Sequence, residues 1–336
     1  MSLSIGALHL PSLVMQSPMA GCSDLPFRLV ARRRGLAFAF TEMVSAHSLV
    51  RRSRKTLALL RTVPEDRPLG AQLLGSDPAK MAAAASMIAE LGFELLDINC
   101  GCPVKKVVSN GEGAALLKDP DRAERVFAAV RRAVDIPLTV KTRKGFQDES
   151  GKEAVELARR AQAQGFDGVI VHGRTQKQGY GGKADHEAVA LVRRAVSIPV
   201  IGNGDVRSPE DARRLMAVAG CQGVMVGRAG LGNPWLYREL HRALSEGEAV
   251  GGGEADGRGA ARLCAALLEH FDLEVEFLGA RQASLNIRRI GAWYACGLPG
   301  AKDFRVRICR AQDISVTRRM ISDFFASLPA RNREDL

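Results

Sequence analysis

No apolar run in this 336-residue chain approaches the roughly 20 residues needed to cross a bilayer as a helix. Membrane-spanning helices are therefore not expected. The opening segment MSLSIGALHLPSLV has no basic start, long apolar middle or small-residue cleavage site, so no signal peptide is indicated and a cytoplasmic location is expected. Aromatic residues are scarce, at 5%. The seven cysteines are scattered and include no Cys-x-x-Cys, which argues against a thioredoxin-like redox pair, a disulfide framework and a structural zinc site. Acids are also short: 37 Asp and Glu face 48 Lys and Arg, for a net charge of +11. Such an excess points to a polyanionic partner, nucleic acid above all, with a solvated basic surface as the alternative.

The basic residues are clustered. Between Arg281 and Arg319 nine Lys or Arg face only Asp303 and Asp313. Two further clusters lie near the N-terminus, at Arg32-Arg33-Arg34 and at Arg51-Arg52-Ser53-Arg54-Lys55. Trp293 and Tyr294 fall inside the C-terminal basic stretch, where packing between helices is a more economical role for them than stacking on bases.

Short apolar runs without polar alternation recur at Leu13–Gln16, Ala37–Met43, Leu69–Leu74, Leu95–Asn99, Leu138–Lys141, Gly168–Val171, Pro199–Ile201 and Gly223–Val226. They read as strands buried on both faces. Between them lie Ala-rich, charged segments of helical spacing, such as Ala79–Leu91, Asp121–Ala133, Lys152–Gln164 and Ser208–Ala219. Several open on a capping residue followed by Pro (Asp77-Pro78, Asp119-Pro120, Ser208-Pro209), and others stop at Gly35, Gly92, Gly165 or Gly220. Some eight strand–helix alternations over about 230 residues predict a TIM (β/α)8 barrel. A doubly wound open sheet is disfavoured, because the first turn carries no dinucleotide fingerprint. The Gly-rich, acidic stretch Glu246–Gly259 reads as a flexible connection. Beyond it only helical periodicity continues, so the barrel is expected over residues 1–248 and a smaller all-helical domain over 249–336.

A barrel places its active site at the strand C-termini. Here those ends carry Ser17-Pro18-Met19-Ala20, Gln72, Asn99 with Cys102, Lys141 with Arg143, His172 with Arg174, Asn203-Gly204-Asp205 and Gly227-Arg228. So many polar groups at one rim are costly unless something pairs with them. The richest segment is LLDINCGCPVKKVVSNGEGAALLKD. A buried strand ends at Asn99 and turns through Gly101, Cys102 and Pro103, with the proline blocking a helix start at the thiol. Two readings of Cys102 remain: a small buried hydrophobe and a thiol presented to a cleft. The glycines after the seventh and eighth strands suit either tight turns or a phosphate held by backbone N–H groups. Lys141 lies within an apolar strand, where an ammonium needs a partner.

The segments SPMAGCSDLPFR, QLLG, INCGCPVKKVVSNGEGAALL, VKTRKGF, VHGRT, IGNGDV and VGRAGLGNPWLY strongly resemble those of the tRNA-dihydrouridine synthases, most closely their bacterial B-type branch. In the helical part, IRRIGAWYACGLPGAKDFRVRI resembles that family's tRNA-binding domain. The resemblance implies an FMN-dependent oxidoreductase that takes electrons from NADPH (or NADH) and reduces the C5=C6 bond of specific uridines in tRNA. It places Cys102 as the proton donor. Pro18, Met19, Ala20, Gln72, Lys141, His172, Asn203, Gly204, Asp205, Gly227 and Arg228 become cofactor-binding positions, the last five as phosphate loops. Asn99 and Arg174, with Arg288 and Arg289 on the helical part, become substrate-binding positions. No metal is implied. A monomer engaging tRNA and a nicotinamide dinucleotide is the simplest expectation. The rival readings are an FMN barrel oxidoreductase acting on a free pyrimidine, which would need no basic helical domain, and an RNA-binding protein with a silent barrel.

Overall fold

An antiparallel hairpin of β1 (Leu3–Ile5) and β2 (Leu8–Leu10) opens the chain, a feature the sequence reading did not anticipate. The computed structural model describes residues 1–245, 259–311 and 313–329. Eight parallel strands follow: β3 (Val14–Gln16), β4 (Ala39–Ser45), β5 (Leu69–Leu74), β6 (Leu95–Cys100), β7 (Leu138–Gly145), β8 (Gly168–Thr175), β9 (Val200–Asn203) and β10 (Gly223–Val226). From β4 to β10 each pairs with its neighbour in sequence, and β10 returns to pair with β3. The remaining seam, β3 against β4, is closed by Gln16. Its N–H donates to the Phe38 carbonyl (3.1 Å), and its Oε1 accepts from the Phe40 N–H (2.9 Å).

The expected TIM barrel is therefore present. Its helical layer comprises α1 (Leu25–Arg32), α2 (Ala46–Val50), α3 (Arg54–Leu59), α4 (Pro78–Glu90), α5 (Lys105–Val108), α6 (Pro120–Ala133), α7 (Lys152–Ala163), α8 (His186–Ala195), α9 (Pro209–Ala219) and α10 (Leu236–Ser245). The capping logic holds. Asp77, Asp119 and Ser208 accept from Lys80, Arg122 and Asp211 N–H groups, each with Pro in the first helical turn. At the other end of α9, Gly220 takes the left-handed conformation (φ +62°) and returns its N–H to the Met216 carbonyl.

The hairpin plugs the barrel's lower mouth. Leu3, Ile5, Leu10 and Leu13 form one buried cluster with the inward-facing Met15, Phe38, Phe40, Ile170, Ile201 and Met225. The lower end is thus filled with apolar side chains, and polar groups collect at the upper end. Strands β7 and β8 run four residues past the apolar runs expected to define them. Their polar ends stay in the ladder because the side chains have partners. Arg143 alone donates to the carbonyls of Gly101 (2.8 Å), Thr175 (3.0 Å) and Gly179 (2.8 Å).

After the barrel come α11 (Ala260–Leu278), α12 (Ala280–Tyr294), α13 (Ala301–Ile308) and α14 (Ile314–Ala326), with no strand among the described residues of this part. They share a core of Phe271, Ile287, Ile290, Phe304, Ile321 and Phe324, in which the Phe304 and Phe324 rings stack 4.2 Å apart. Tyr294 is buried in that core and Trp293 packs against it, in keeping with a packing role. The boundary expected between 248 and 249, and all of the Gly-rich connection expected over Glu246–Gly259 except Gly259, lie outside the described residues.

Candidate active site

The strand C-termini and the helical part together enclose a cleft of about 2080 Å³. Its barrel wall includes Cys102, Lys141 and His172, and its other wall includes Leu263, Trp293 and Leu298. Register explains the grouping on the barrel side. Gln72 lies opposite Asp97, Asn99 opposite Lys141, and His172 opposite Asn203 on neighbouring parallel strands. Residues so paired point the same way from the sheet.

Cys102 is half-buried on the loop after β6, and Cys100 is fully buried in the layer between strands and helices. Strand alternation separates the two thiols. The Asn99 Oδ1 accepts from the N–H of Gly101 (3.1 Å) and of Cys102 (2.9 Å). Burial pushes the Cys102 thiol up, against smaller opposing effects of the Val104 N–H and Arg143. The thiol therefore keeps its proton at neutral pH.

Lys141 donates to Asn203 Oδ1 (2.9 Å), and Asn203 is oriented by donating to the Met225 carbonyl (2.8 Å). Burial lowers Lys141 to about 8, with Asp97 opposing and Arg143 assisting; most of it stays charged at pH 7. Burial raises Asp97 to about 7, against hydrogen bonds from Thr139 and Gln72. His172 is held well below its ordinary value, first by burial and then by Lys141, Arg143, Arg174 and Arg228. It is neutral. Because Arg174 can only donate, its Nη1 contact to His172 Nε2 (3.4 Å) assigns the ring proton to Nδ1.

Two expected phosphate residues have side chains already engaged by protein. Asn203 holds Lys141, and the Asp205 carboxylate accepts from Arg174 (2.7 Å) and from the Ala184 N–H (2.8 Å). What their loop can offer an anion is backbone N–H, and its shape is tightly set. Gly204 has φ +121°, and a Cβ there would lie 2.7 Å from the Ala184 Cβ and 2.9 Å from the His172 ring. Gly227 and the exposed Arg228 lie on the same rim, as do Pro18, Met19 and Ala20.

Arg174 departs from its expected substrate role. Its guanidinium is 2% exposed and engages Asp205 and the carbonyls of Gly181 and Gly182. It organises the loop after β8 and presents no free donor pair. Arg288 is exposed on α12 and makes no ion pair among the described residues, whereas Arg289 lies over the Trp293 ring (5.3 Å) and reaches toward Gly21 on the barrel rim.

The sequence reading gave no role to three residues of this site. Asp97 was passed over inside the apolar run Leu95–Asn99. Arg143 was noted only as a strand-end cation. Tyr180, 61% exposed on the cleft wall, has Arg228 4.7 Å and Arg143 5.7 Å from its ring. Its signal was an aromatic among glycines in a chain poor in aromatics.

Comparison with known proteins follows the same lines. A family model described as Dihydrouridine synthase (Dus) matches residues 15–327. The chain is 38% identical over 322 residues to a protein of Pseudomonas aeruginosa named tRNA-dihydrouridine synthase B, covering 96% of this chain and 95% of that one. It is 38% identical over 334 residues to a probable tRNA-dihydrouridine synthase of Rhodobacter capsulatus, covering 98% and 100%. Among solved structures it is similar to a 2-naphthoyl-CoA reductase (TM-score 0.56, 11% identity, 74% of this chain and 52% of that chain). It is also similar to a histamine dehydrogenase from Rhizobium sp. 4-9 (TM-score 0.56, 15% identity, 81% and 50%). The chain spans about half of each of these two structures, and at such identities they speak for the fold alone.

Proposed function

Because this chain belongs to the dihydrouridine synthase family, we propose that it reduces the C5=C6 bond of uridines in tRNA, with FMN at the barrel mouth, NADPH or NADH as the electron source and Cys102 as the proton donor. The rim fits such a cofactor by the chemistry of its groups. It combines a charged Lys141, a neutral imidazole at His172 and glycine loops with backbone N–H groups beside Arg228. In this reading Pro18, Met19, Ala20 and Gln72 hold the ring system, and the loops at Gly204 and Gly227 hold the phosphate. When bound and reduced, the flavin supplies a hydride to uracil C6.

Everything else falls to the chain's own side chains. Lys141 stabilises the negative charge of the reduced cofactor. His172, neutral, donates through Nδ1 without adding a second cation beside Lys141. The Cys102 thiol gives its proton to C5 as negative charge builds there. Tyr180, between two guanidinium groups at the mouth, provides a face on which a splayed base can stack. The target base must leave the RNA stack to enter the cleft. The exposed arginines of α12 and α13, in a helical tRNA-binding domain beginning near residue 249, supply affinity for the surrounding phosphates. A free pyrimidine would leave that basic surface without a use.

The observation that carries this reading is a half-buried, protonated thiol held on the cleft wall by Asn99, on the same rim as Lys141. Cys102→Ala should leave flavin reduction by NADPH nearly intact and slow dihydrouridine formation by about a hundred- to ten-thousand-fold, the usual contribution of one general acid. Rapid-mixing absorbance measures the first step and mass spectrometry of digested tRNA the second. An undiminished rate of dihydrouridine formation would remove Cys102 from the mechanism.

A further inference from the structure

Beneath the cleft lies a line of hydrogen bonds whose direction is fixed at both ends. Thr139 Oγ1 donates to Asp97 Oδ1 (2.7 Å) and Gln72 Nε2 donates to Asp97 Oδ2 (2.7 Å). Asn99 Nδ2 donates to Gln72 Oε1 (2.8 Å), and Asn99 Oδ1 accepts the N–H groups of Gly101 and Cys102. Asp97 and Thr139 are 0% exposed, Gln72 1% and Asn99 7%. An amide side chain taken alone can face either way, since its oxygen and nitrogen are nearly the same size. Here neither can turn. A backbone N–H only donates, so Asn99 must offer it oxygen. The Asp97 Oδ2 facing Gln72 accepts when the carboxyl is ionised, and still accepts when it is protonated with its proton on Oδ1 toward the Thr139 hydroxyl, so Gln72 must offer it nitrogen. Turning either amide would set donor against donor, or oxygen against oxygen, in a buried site whose other contact is the weak Met43 sulfur, 3.8 Å from Asn99 Nδ2.

We propose that Asp97 is a positioning residue for Cys102: its carboxylate orients Gln72, Gln72 orients Asn99, and Asn99 holds the backbone amides that present the thiol. The inference rests on the reading of Cys102 as proton donor. Asp97 touches neither the thiol nor the loop, and it acts only through the two amides. The arrangement also accounts for an acid inside the apolar strand Leu95–Cys100. A leucine or valine there would leave the Gln72 nitrogen buried without an acceptor.

Asp97 also faces Lys141 electrostatically, and the alternative role is that of a counter-charge. Two substitutions separate the roles. Asp97→Asn removes the charge and keeps an acceptor, because its Oδ1 can face Gln72 while Thr139 accepts from its nitrogen. Asp97→Leu removes both. The readout is deuterium exchange of the peptide spanning 99–104 in the full-length protein, which reports the Gly101 and Cys102 hydrogen bonds directly and needs no turnover. With positioning, Asp97→Leu speeds exchange of these amides roughly tenfold, as expected for a lost buried hydrogen bond, and Asp97→Asn stays within about twofold of the parent. With a counter-charge role, Asn and Leu behave alike, which overturns the proposal. Gln72→Met is the second test should the leucine variant fail to fold. It breaks the line while leaving Asp97 beside Lys141, and an unchanged exchange rate there also overturns the proposal. Dihydrouridine formation, measured on the same proteins, keeps the two claims apart. A loosened loop with undiminished product formation upholds the positioning by Asp97 and refutes the donor role of Cys102.

Discussion

Of the chain's three basic clusters, the first and the last read alike in sequence, and the fold uses them in opposite ways. At Arg32-Arg33-Arg34 and the neighbouring Arg28 the guanidinium groups are taken up by the protein's own acids and carbonyls. Arg28 is 0% exposed and holds Asp66 through Nε and Nη2 at 2.9 and 2.7 Å. Arg32 donates to the carbonyls of Ala37 and Asp66, Arg33 bridges Glu65 and Glu269, and Arg34 holds Glu269 while lying over Trp235. Because Glu269 sits on α11, two of these arginines fasten the helical part to the barrel. At the C-terminal run, Arg281, Arg288, Arg305, Arg307 and Arg310 are exposed and make no ion pair among the described residues, although Arg318 pairs with Asp272. Of the clusters behind the expected polyanionic partner, Arg32-Arg33-Arg34 is thus already met by acids 30 or more residues away in sequence. Arg51, Arg52, Arg54 and Lys55 stay exposed and resemble the C-terminal run. Charge density along a chain is thus a poor guide to charge on the surface.

The contrast can be broken from either side. The largest effect is expected on the inward side, where Asp66→Ala leaves Arg28 and Arg32 buried without their carboxylate. Loss of one partner of a buried pair costs about 3–5 kcal/mol, to be read as a lower urea midpoint with an unchanged slope. A midpoint within error of the parent would mean that the pair is dispensable. The next effect is expected on the outward side. Arg288→Ala, Arg305→Ala and Arg307→Ala together should leave the midpoint in place. They should weaken tRNA binding roughly a hundredfold near physiological salt and flatten its salt dependence by about one unit of slope per lost phosphate contact. An unchanged slope would reduce the outward arginines to solvated surface. Arg289 is left out of this set because it leans on Trp293 and the barrel rim.

The alternation of apolar runs and helical segments made the barrel legible, since a parallel strand buried on both faces announces itself by its residues alone. The helix starts at Pro78, Pro120 and Pro209 were legible because capping is local. The plugging hairpin was not: three-residue strands carry too little pattern, and their burial depends on a barrel that closes two hundred residues later. Among the site residues, the turn at Cys102 and the lysine inside an apolar strand stood out because each breaks a local rule. Asp97 and the inward use of Arg174 did not, because their meaning lies in partners on other strands. Sequence identifies the polar groups at the rim, and only the register decides which of them face the cleft and which hold the others in place.

The smallest effect is expected at the seam between the two regions, where titratable groups are buried without an arginine clamp. Asp24 caps α1 on the barrel side, and His270 and Glu274 face it from α11 at 1% and 0% exposure. His270 Nδ1 lies 3.4 Å from Tyr294 Oη, and Glu274 Oε2 accepts from Asn286 (2.7 Å). Burial, and then the neighbouring Asp24, push Glu274 from its ordinary 4.5 up to about 9. Burial lowers His270 to about 3, with Arg289 and Arg34 assisting. The folded protein thus keeps a proton on Glu274 that the unfolded chain gives up above about pH 4.5, so this group's contribution to stability declines from there toward pH 9. His270 acts in the opposite sense, but only between about pH 3 and its ordinary 6.5, so the interval from pH 7 to 8 separates the carboxyl from the imidazole, and comparison with a Glu274 variant cancels the titrations of Asp97 and Lys141 that both proteins share. Across it the parent protein should lose up to about 1.4 kcal/mol from Glu274, the limit for one proton over one pH unit. Glu274→Gln cannot ionise and still offers Asn286 an oxygen. It should lose correspondingly less, so that its melting temperature gains on the parent's between pH 7 and 8. Parallel curves for the two proteins over that interval would mean that Glu274 is already ionised in the fold and that a cation at the seam, Arg289 being the nearest candidate, neutralises it much as Arg28 neutralises Asp66.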